Sequence, residues 1–161
     1  MKFAGKIAFA LGIVCFLMMY SGCKKHKDEP EPVTDVQLKL LTNAFAPTGQ
    51  VWKATAVTLD GNPKTSDYPN FQLTLTGTKG QSTFNFAASG RPALSPWPAS
   101  GNFTFDATNP STTLSRNDTP PVTVTYSATA TQLIMSFNFS GSGYPARIGN
   151  VKGNWVFTFG L

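Results

Sequence analysis

The sequence predicts an all-β fold, an antiparallel up-and-down barrel of about eight strands with a short N-terminal helix. Apolar residues alternate with Thr, Ser or Asn through most of the chain after Gln50. Turn signals separate the alternating segments, and no long helical pattern interrupts them. A period of two is typical of antiparallel strands that cover a core with one face. A two-sheet β-sandwich buries the same faces and is the alternative architecture.

The first 22 residues have the parts of a bacterial signal sequence. Lys2 and Lys6 give a positive start, an apolar run follows, and Ser21-Gly22 supplies small residues before Cys23. The apolar run has roughly 14 residues, which is shorter than the ~20 that a membrane-spanning helix needs. We therefore expect residues 1–22 to be a signal peptide that is cleaved in front of the cysteine.

The segment Tyr20-Ser21-Gly22-Cys23 resembles a bacterial lipobox. The resemblance implies that Cys23 carries a diacylglycerol, and each buried acyl methylene adds about 0.8 kcal/mol to membrane binding. Residues 23–33 are charged and contain prolines, which predicts a disordered tether. Lysine beside the acylated cysteine, followed by acids, is similar to the surface-export signal of Bacteroidota lipoproteins. We expect a lipid-anchored protein of the outer membrane, exposed at the cell surface, with a periplasm-facing orientation as the alternative.

A short helix is predicted at the start of the domain, which spans residues 34–161. Thr34-Asp35-Val36-Gln37 fits a capping box, in which side chains at both ends satisfy backbone N–H groups. Apolar residues then recur at helical spacing until Pro47 and Gly49 end the run. The expected apolar face consists of Val36, Leu40, Leu41, Ala44 and Phe45.

Six later segments show the period of two most clearly: 71–76, 84–86, 103–105, 122–126, 133–139 and 155–159. Adding residues 51–59 and a weaker segment at 112–116 gives about eight strands. The segments are separated by Gly, Asn, Asp and Pro, as in Asp60-Gly61-Asn62-Pro63. Most loops are short enough for consecutive strands to pair, which favours the barrel over the sandwich.

The order of these features resembles small lipocalin-like lipoproteins of uncharacterised function. A helix precedes Gly49-Gln50-Val51-Trp52, and a Pro-Trp-Pro segment precedes Gly101-Asn102-Phe103. Residues 151–159 close the pattern. True lipocalins carry Gly-x-Trp at the first strand and a late arginine over that tryptophan; this sequence departs from both, with Gly49-x-x-Trp52 and with Arg147 ahead of the last strand. The likeness covers residues 36–161. It implies a lipocalin-like barrel and a role in binding, and it brings no catalytic residues.

Composition argues against several classes of function. The two cysteines are Cys15, in the signal sequence, and Cys23, so the processed chain would have no thiol for a disulfide, a zinc site or a nucleophile. The single histidine, His26, lies in the tether, which leaves the domain without imidazole. Cleavage would lower the formal charge from +5 to +3, and the remaining charge forms no basic cluster outside the tether. We therefore expect no nucleic-acid partner.

Carboxylates give no catalytic or metal signal either. Four of them follow Gln50, and each stands in a turn, in a loop or at a strand end. Nothing in their spacing pairs two of them for glycoside hydrolysis, and no Asp-x-Asp run predicts calcium. We expect no enzymatic activity, no metal and no other cofactor. The four residues are Asp60, Asp67, Asp106 and Asp118.

Aromatic residues are the remaining candidates for a binding role. Trp97 stands in the segment 90–101, where three prolines forbid a central strand. A large ring on a stiff segment loses little entropy when a ligand stacks on it, and the same ring could instead fold back as a lid on the barrel mouth. Trp52 and Trp155 lie on patterned strands, where packing in the core is expected.

We expect the barrel to bind a small, apolar ligand, with Phe84 and Phe137 among the residues that would line a cavity. A glycan-binding or accessory module at the surface is one alternative, and a structural envelope lipoprotein with a protein partner is another. Exposure of the Trp97 ring would distinguish the glycan-binding alternative from the apolar carrier. The outward-facing residues of the glycan-binding alternative would be Trp97, Arg91, Asn102 and Tyr144.

Overall fold

The structure, a computed structural model, describes residues 29–141, 144–145 and 151–161, with only the backbone described at 144–145. Eight antiparallel strands form a closed barrel in which each strand pairs with the next and the last pairs with the first. The predicted up-and-down barrel is therefore confirmed, and the sandwich does not apply. The strands are β1 (Gln50–Leu59), β2 (Asn62–Pro63), β3 (Gln72–Thr76), β4 (Thr83–Ser89), β5 (Leu94–Ser95), β6 (Ser100–Phe105), β7 (Thr113–Arg116), β8 (Val122–Ala128), β9 (Gln132–Phe139), β10 (Tyr144–Pro145) and β11 (Gly153–Gly160).

The barrel wall consists of β1, β3, β4, β6, β7, β8, β9 and β11, and the other three strands have two residues each. Side chains alternate along the wall as the period of two predicts. On β9, Leu133, Met135 and Phe137 are buried while Ile134 is half-buried. All eight barrel strands lie in the described part of the chain, and Arg116 is the one charged residue at a buried position in them.

A β-bulge in β1 lets both halves of this strand face the core. The pairing of β1 with β11 shifts between Ala54 and Ala56. Trp52 and Val57 are five residues apart, so they would point to opposite faces of a regular strand. The extra residue in the bulge turns the second half of β1 so that Val57 points inward as Trp52 does, and both side chains are completely buried.

Helix α1 (Val33–Thr42) covers the end of the barrel where β1 and β4 begin, which we call the helix end. Leu38 and Leu41 are completely buried beneath the helix. The indole Nε1 of Trp52 donates a hydrogen bond of 3.0 Å to the Leu41 carbonyl oxygen. The helix thus closes the barrel through apolar contacts and through the Leu41 carbonyl oxygen.

The predicted capping box is wrong. The helix begins after Pro32, and no side chain caps its first turn. Pro32 instead accepts two backbone hydrogen bonds through its carbonyl oxygen, from the N–H groups of Asp35 and Val36. The side chain of Gln37 does not reach back to the start of the helix, because its Oε1 accepts a hydrogen bond of 3.2 Å from the Tyr126 hydroxyl. A tertiary contact with β8 therefore replaces the local cap.

The predicted apolar face of the helix is also wrong in part. The buried positions are Asp35, Leu38, Leu41 and Thr42, whereas Val36 is exposed. The two polar residues tolerate burial because Asp35 accepts a backbone hydrogen bond from the β3–β4 turn and Thr42 donates to the Leu38 carbonyl oxygen. The helix ends at Thr42 rather than near Pro47, since the following residue takes a left-handed C-cap conformation.

The opposite end of the barrel, which we call the plug end, is closed by residues 90–99, the plug loop. Gly90 begins this loop with φ +65°, and a Cβ there would lie 2.0 Å from the Asn70 carbonyl oxygen. Only glycine fits such a close approach. Within the loop, β5 pairs with β10 in a separate two-stranded sheet. The loop is therefore fixed at its start and near its middle.

Candidate functional site

Trp97, in the second half of the plug loop, lies inside the barrel. Its side chain is 0% exposed. Five phenylalanine rings surround the indole, with centroid distances between 5.4 and 6.2 Å. Because these rings come from segments all around the wall, the indole occupies the barrel interior at this end. They are Phe71 just before β3, Phe86 on β4, Phe103 on β6, Phe137 on β9 and Phe157 on β11.

The guanidinium of Arg116 lies against this indole. Its Cζ atom is 4.8 Å from the Trp97 ring centroid and 4.7 Å from that of Phe137, which are cation–π distances. Asp118 pairs with it in a bidentate manner, with both N–O distances at 2.7 Å. The two charged side chains are 0% and 4% exposed. The carboxylate compensates a positive charge that would otherwise be costly to bury.

Two arginines hold the backbone of the plug loop. Arg116 Nη2 donates to the Pro96 carbonyl oxygen at 2.9 Å, and Arg91 Nη1 donates to the Trp97 carbonyl oxygen at 2.8 Å. Ser95 Oγ accepts the Trp97 backbone N–H at 3.1 Å. The loop contains three prolines, which offer carbonyl oxygens but no N–H groups, so side chains must supply the missing donors. The arginines thereby keep the indole inside the barrel.

Three buried polar atoms at the plug end have no hydrogen-bond partner. They are the only such side-chain atoms in the part of the chain that the structure describes. Each can donate a hydrogen bond, and burying a donor without an acceptor costs about 1–3 kcal/mol. The polar interior of this end is therefore incompletely satisfied. The atoms are Tyr68 Oη, Trp97 Nε1 and Arg116 Nη1.

Tyr68 lies under the plug loop and is 2% exposed. Burial raises the pKa of its hydroxyl to about 12, the nearby Ser95 hydroxyl opposes this rise, and the charge of Asp67 adds to it. The Tyr68 hydroxyl nevertheless forms no hydrogen bond with Ser95 by distance and angle. The phenol therefore stays protonated at neutral pH and keeps an unused donor.

An apolar cleft of about 460 Å³ opens at the plug end. It lies between the connection from β1 to β3, the plug loop and the start of β11. Leu94 on its wall is 37% exposed, while the Lys64–Asp67 ion pair, at 3.6 Å, adds two charged groups of opposite sign. The apolar part of the lining consists of Leu59, Tyr68, Pro92, Leu94, Val151 and Trp155.

A smaller, polar cleft of about 190 Å³ lies on the other side of the plug loop. It is bounded by the end of that loop, the start of β6 and the loop between β7 and β8. The carboxylate that pairs with Arg116 forms part of its lining. Its polar lining residues are Ser100, Asn102, Asn117, Asp118 and Thr119.

The structure places the four candidate residues of the glycan-binding alternative at different points of the plug end. Trp97 does not face solvent. Its ring is folded back into the barrel mouth, which is the second of the two positions expected from the sequence. Arg91 serves the plug-loop backbone. Asn102 is half-buried, donates a hydrogen bond to the Asn85 side chain and lines the polar cleft. The backbone of Tyr144 pairs with Ser95, and its side chain lies outside the described residues.

The two candidate phenylalanines are both core residues. Phe84 is 2% exposed and packs on Phe103 and Phe105 at centroid distances of 5.5 and 5.2 Å. Phe137, also 2% exposed, contacts Trp97 and Arg116. Both rings contact other aromatic side chains of the core, and the Trp97 indole occupies the space beside Phe137.

Arg116 and Asp118 were missed as functional candidates, although the sequence held a signal. Arg116 follows Leu114 at a spacing of two, which places both on one face of the predicted strand at 112–116. A carboxylate two residues later could neutralise an inward arginine. The signal was weak because a charged residue at a strand end is usually exposed.

Several expectations concern residues that lie outside the described ranges. They include the signal peptide, the lipidated Cys23 and Arg147. Among residues 29–141 and 151–161, no three His, Cys, Asp or Glu side chains gather where they could hold a metal ion. The same residues contain no helix that is long and apolar enough to cross a membrane.

Comparisons with known proteins give no assignment. No protein-family model, curated protein or solved structure matches this chain. Function has therefore to be inferred from the chemistry of the two clefts and from the signals at the N-terminus.

Proposed function

We propose that this protein is a lipoprotein of the outer membrane, anchored through a diacylglycerol on Cys23, whose barrel domain binds a small apolar ligand at the plug end. The observation that carries the binding proposal is the apolar cleft beside the plug loop. Its volume of about 460 Å³ falls within the ~300–1,000 Å³ of most small-molecule sites. The lipobox resemblance of residues 20–23 supports the anchor.

The cleft replaces the barrel interior as the proposed site. Trp97 and its surrounding phenylalanines occupy the interior, so a ligand there would have to displace a buried indole. The cleft offers Leu94 and Trp155 as apolar wall without such a rearrangement. Covering apolar surface contributes about 25 cal/mol per Å², and the exposed part of the Leu94 side chain is available for it.

The tether is compatible with this location. It joins the domain next to α1, at the helix end, so the apolar cleft opens at the opposite end of the barrel. Val33 belongs to α1 and Glu31 pairs with Lys39, so the tether that can extend comprises residues 23–30, over about 28 Å if fully stretched. A ligand could then reach the cleft without passing between the helix end and the membrane. Outer-leaflet exposure belongs to the same proposal and rests on the acids that follow Lys24.

The anchor is tested by phase partitioning of the protein made in its own host. The wild type should enter the detergent phase and incorporate labelled fatty acid, whereas Cys23→Ser should do neither. Equal partitioning of the two proteins would overturn the anchor. Protease accessibility on intact cells would then distinguish the outer from the periplasmic face.

The ligand is tested by native mass spectrometry of the domain from Lys24 onward, isolated from host extract without detergent and checked for folding by circular dichroism. We expect a co-purifying apolar mass that Leu94→Asp removes. Val51→Asp is the matched control, since Val51 is also 37% exposed but lies on β1 at the helix end. A bare mass from the wild type, or equal loss in both variants, would overturn the proposal and favour a structural envelope role.

A further inference from the structure

We propose that the polar cleft beside Asp118 is a second ligand site, which binds one uncharged polyhydroxyl unit such as a saccharide ring. This site does not depend on the apolar cleft, which lies on the other side of the plug loop. It also differs from a stacking platform on Trp97, because that ring is buried.

The carboxylate of Asp118 is fixed in place and keeps acceptor capacity. Asp118 is held in a fixed orientation by two hydrogen bonds from Arg116, one to each carboxylate oxygen. A carboxylate has about four acceptor sites, so each oxygen keeps capacity for another donor. Asp118 lines the cleft, so the 4% of its side chain that stays exposed can accept a hydroxyl group while the ion pair with Arg116 is kept.

Polar side chains without protein partners among the described residues surround this carboxylate. In the described structure, the side chains of Asn117, Ser100 and Thr119 form no hydrogen bond with protein groups, although all three line the cleft. An amide and two hydroxyls can each donate and accept. Pro98 and Phe86 add a small apolar surface. A sugar ring is complementary to such a lining, because its hydroxyl groups both donate and accept hydrogen bonds and its C–H groups form an apolar face.

The lining does not favour charged ligands. An anion meets no basic side chain among the described residues that form it. A cation meets a carboxylate that Arg116 has already neutralised, with no second acid in the lining to assist it. The volume of about 190 Å³ is below the ~300–1,000 Å³ of sites for drug-sized molecules, which indicates one ring rather than an oligomer.

The test is a titration of the processed protein in lipid nanodiscs with glucose, galactose, mannose and N-acetylglucosamine, followed by isothermal calorimetry or ligand-observed NMR. We expect at least one of them to bind and Asn117→Ala to weaken that binding about 3- to 10-fold, the effect of losing one hydrogen bond. Asn117 is exposed and its side chain has no structural partner, so the variant should fold normally.

Asn109→Ala is the matched control, since Asn109 is also exposed but lies in the β6–β7 turn at the helix end. It should bind as the wild type does, and so should Leu94→Asp in the apolar cleft. The uronic acid of the sugar that binds should bind more weakly than the neutral sugar. No binding by any of the four sugars, equal binding by Asn117→Ala, or preference for the uronic acid would each overturn the proposal.

Discussion

A helix closes one end of this barrel and a proline-rich loop closes the other, and the two closures differ in how they satisfy buried polar groups. At the helix end, Trp52 donates its indole N–H to the Leu41 carbonyl oxygen. Asp35, which is 3% exposed, accepts the Gly80 backbone N–H at 2.8 Å. The hydroxyl of Tyr126 donates to a backbone carbonyl oxygen at 2.6 Å. Each of these buried groups has a partner.

At the plug end, Tyr68, Trp97 and Arg116 each bury a donor that has none. Both clefts described above also open at this end. An unsatisfied buried group in a native structure needs an explanation, such as a functional role or a bound water, because it costs stability. The buried polar groups named at the helix end are all paired, whereas the plug end keeps unpaired donors at a cost in stability. Four experiments test this difference between the two ends.

The largest effect is expected from breaking the buried ion pair. Arg116→Met should lower the free energy of unfolding by about 3–5 kcal/mol, because Asp118 would lose its partner while remaining buried. Urea denaturation measures this change. Adding Asp118→Asn should recover part of the loss, and the exposed Lys53→Met should have little effect. A loss below about 1 kcal/mol would mean that the pair is not buried in solution.

Matched replacements of the two end tryptophans compare the closures directly. Trp52→Phe and Trp97→Phe remove the same atoms from sites that are both 0% exposed. Only the first also leaves a carbonyl oxygen unpaired, on Leu41. We expect Trp52→Phe to be the more destabilising by about 1–2 kcal/mol in urea denaturation. Equal losses would contradict the contrast between the ends.

Removing the hydroxyl groups of the two buried tyrosines, one at each end, should change stability by a smaller amount. Tyr126→Phe should cost about 1 kcal/mol, because it removes the hydrogen bond to the Pro110 carbonyl oxygen. Tyr68→Phe removes a hydroxyl without a partner and should be neutral or slightly stabilising. Thermal denaturation of both variants against the wild type measures the difference. A destabilised Tyr68→Phe protein would show that this hydroxyl has a partner in solution.

The smallest effect concerns alkaline pH. Burial raises the pKa of Tyr68 from 10.0 to about 12, so between these values the unfolded chain loses a proton that the folded protein keeps. The free energy of unfolding must therefore fall as pH rises through this range. Burial raises the pKa of Tyr126 in the same direction. Tyr68→Phe should show a shallower fall than the wild type in pH-dependent denaturation, and an unchanged slope would contradict the burial of this phenol.

The barrel wall could be predicted because each strand has one buried face, which the alternation reports directly. Arg116 could not be placed from the same pattern. Its burial depends on Asp118 in the next loop, on Trp97 in the plug loop and on Phe137 of β9. Those partners are set by the closed barrel and not by the local sequence.

The buried face of the helix could not be predicted in full either. Asp35 and Thr42 lie on its buried face, and a search for apolar residues at helical spacing passes over them. Their hydrogen bonds, to Gly80 and to the helix backbone, exist only after docking on the barrel. Of the site, the sequence identified Asn102 at the polar cleft, but the clefts themselves arise from loops that meet in space.

The barrel can close only after the chain has been synthesised through β11, which pairs with β1. Thr55 and Thr158, which are hydrogen-bonded across this pair of strands, are 103 residues apart. Until the eight residues of β11 arrive, β1 and β9 each present an unpaired edge to any neighbouring chain. Nascent or truncated chains that stop short of β11 should therefore aggregate through these edges rather than close a smaller barrel.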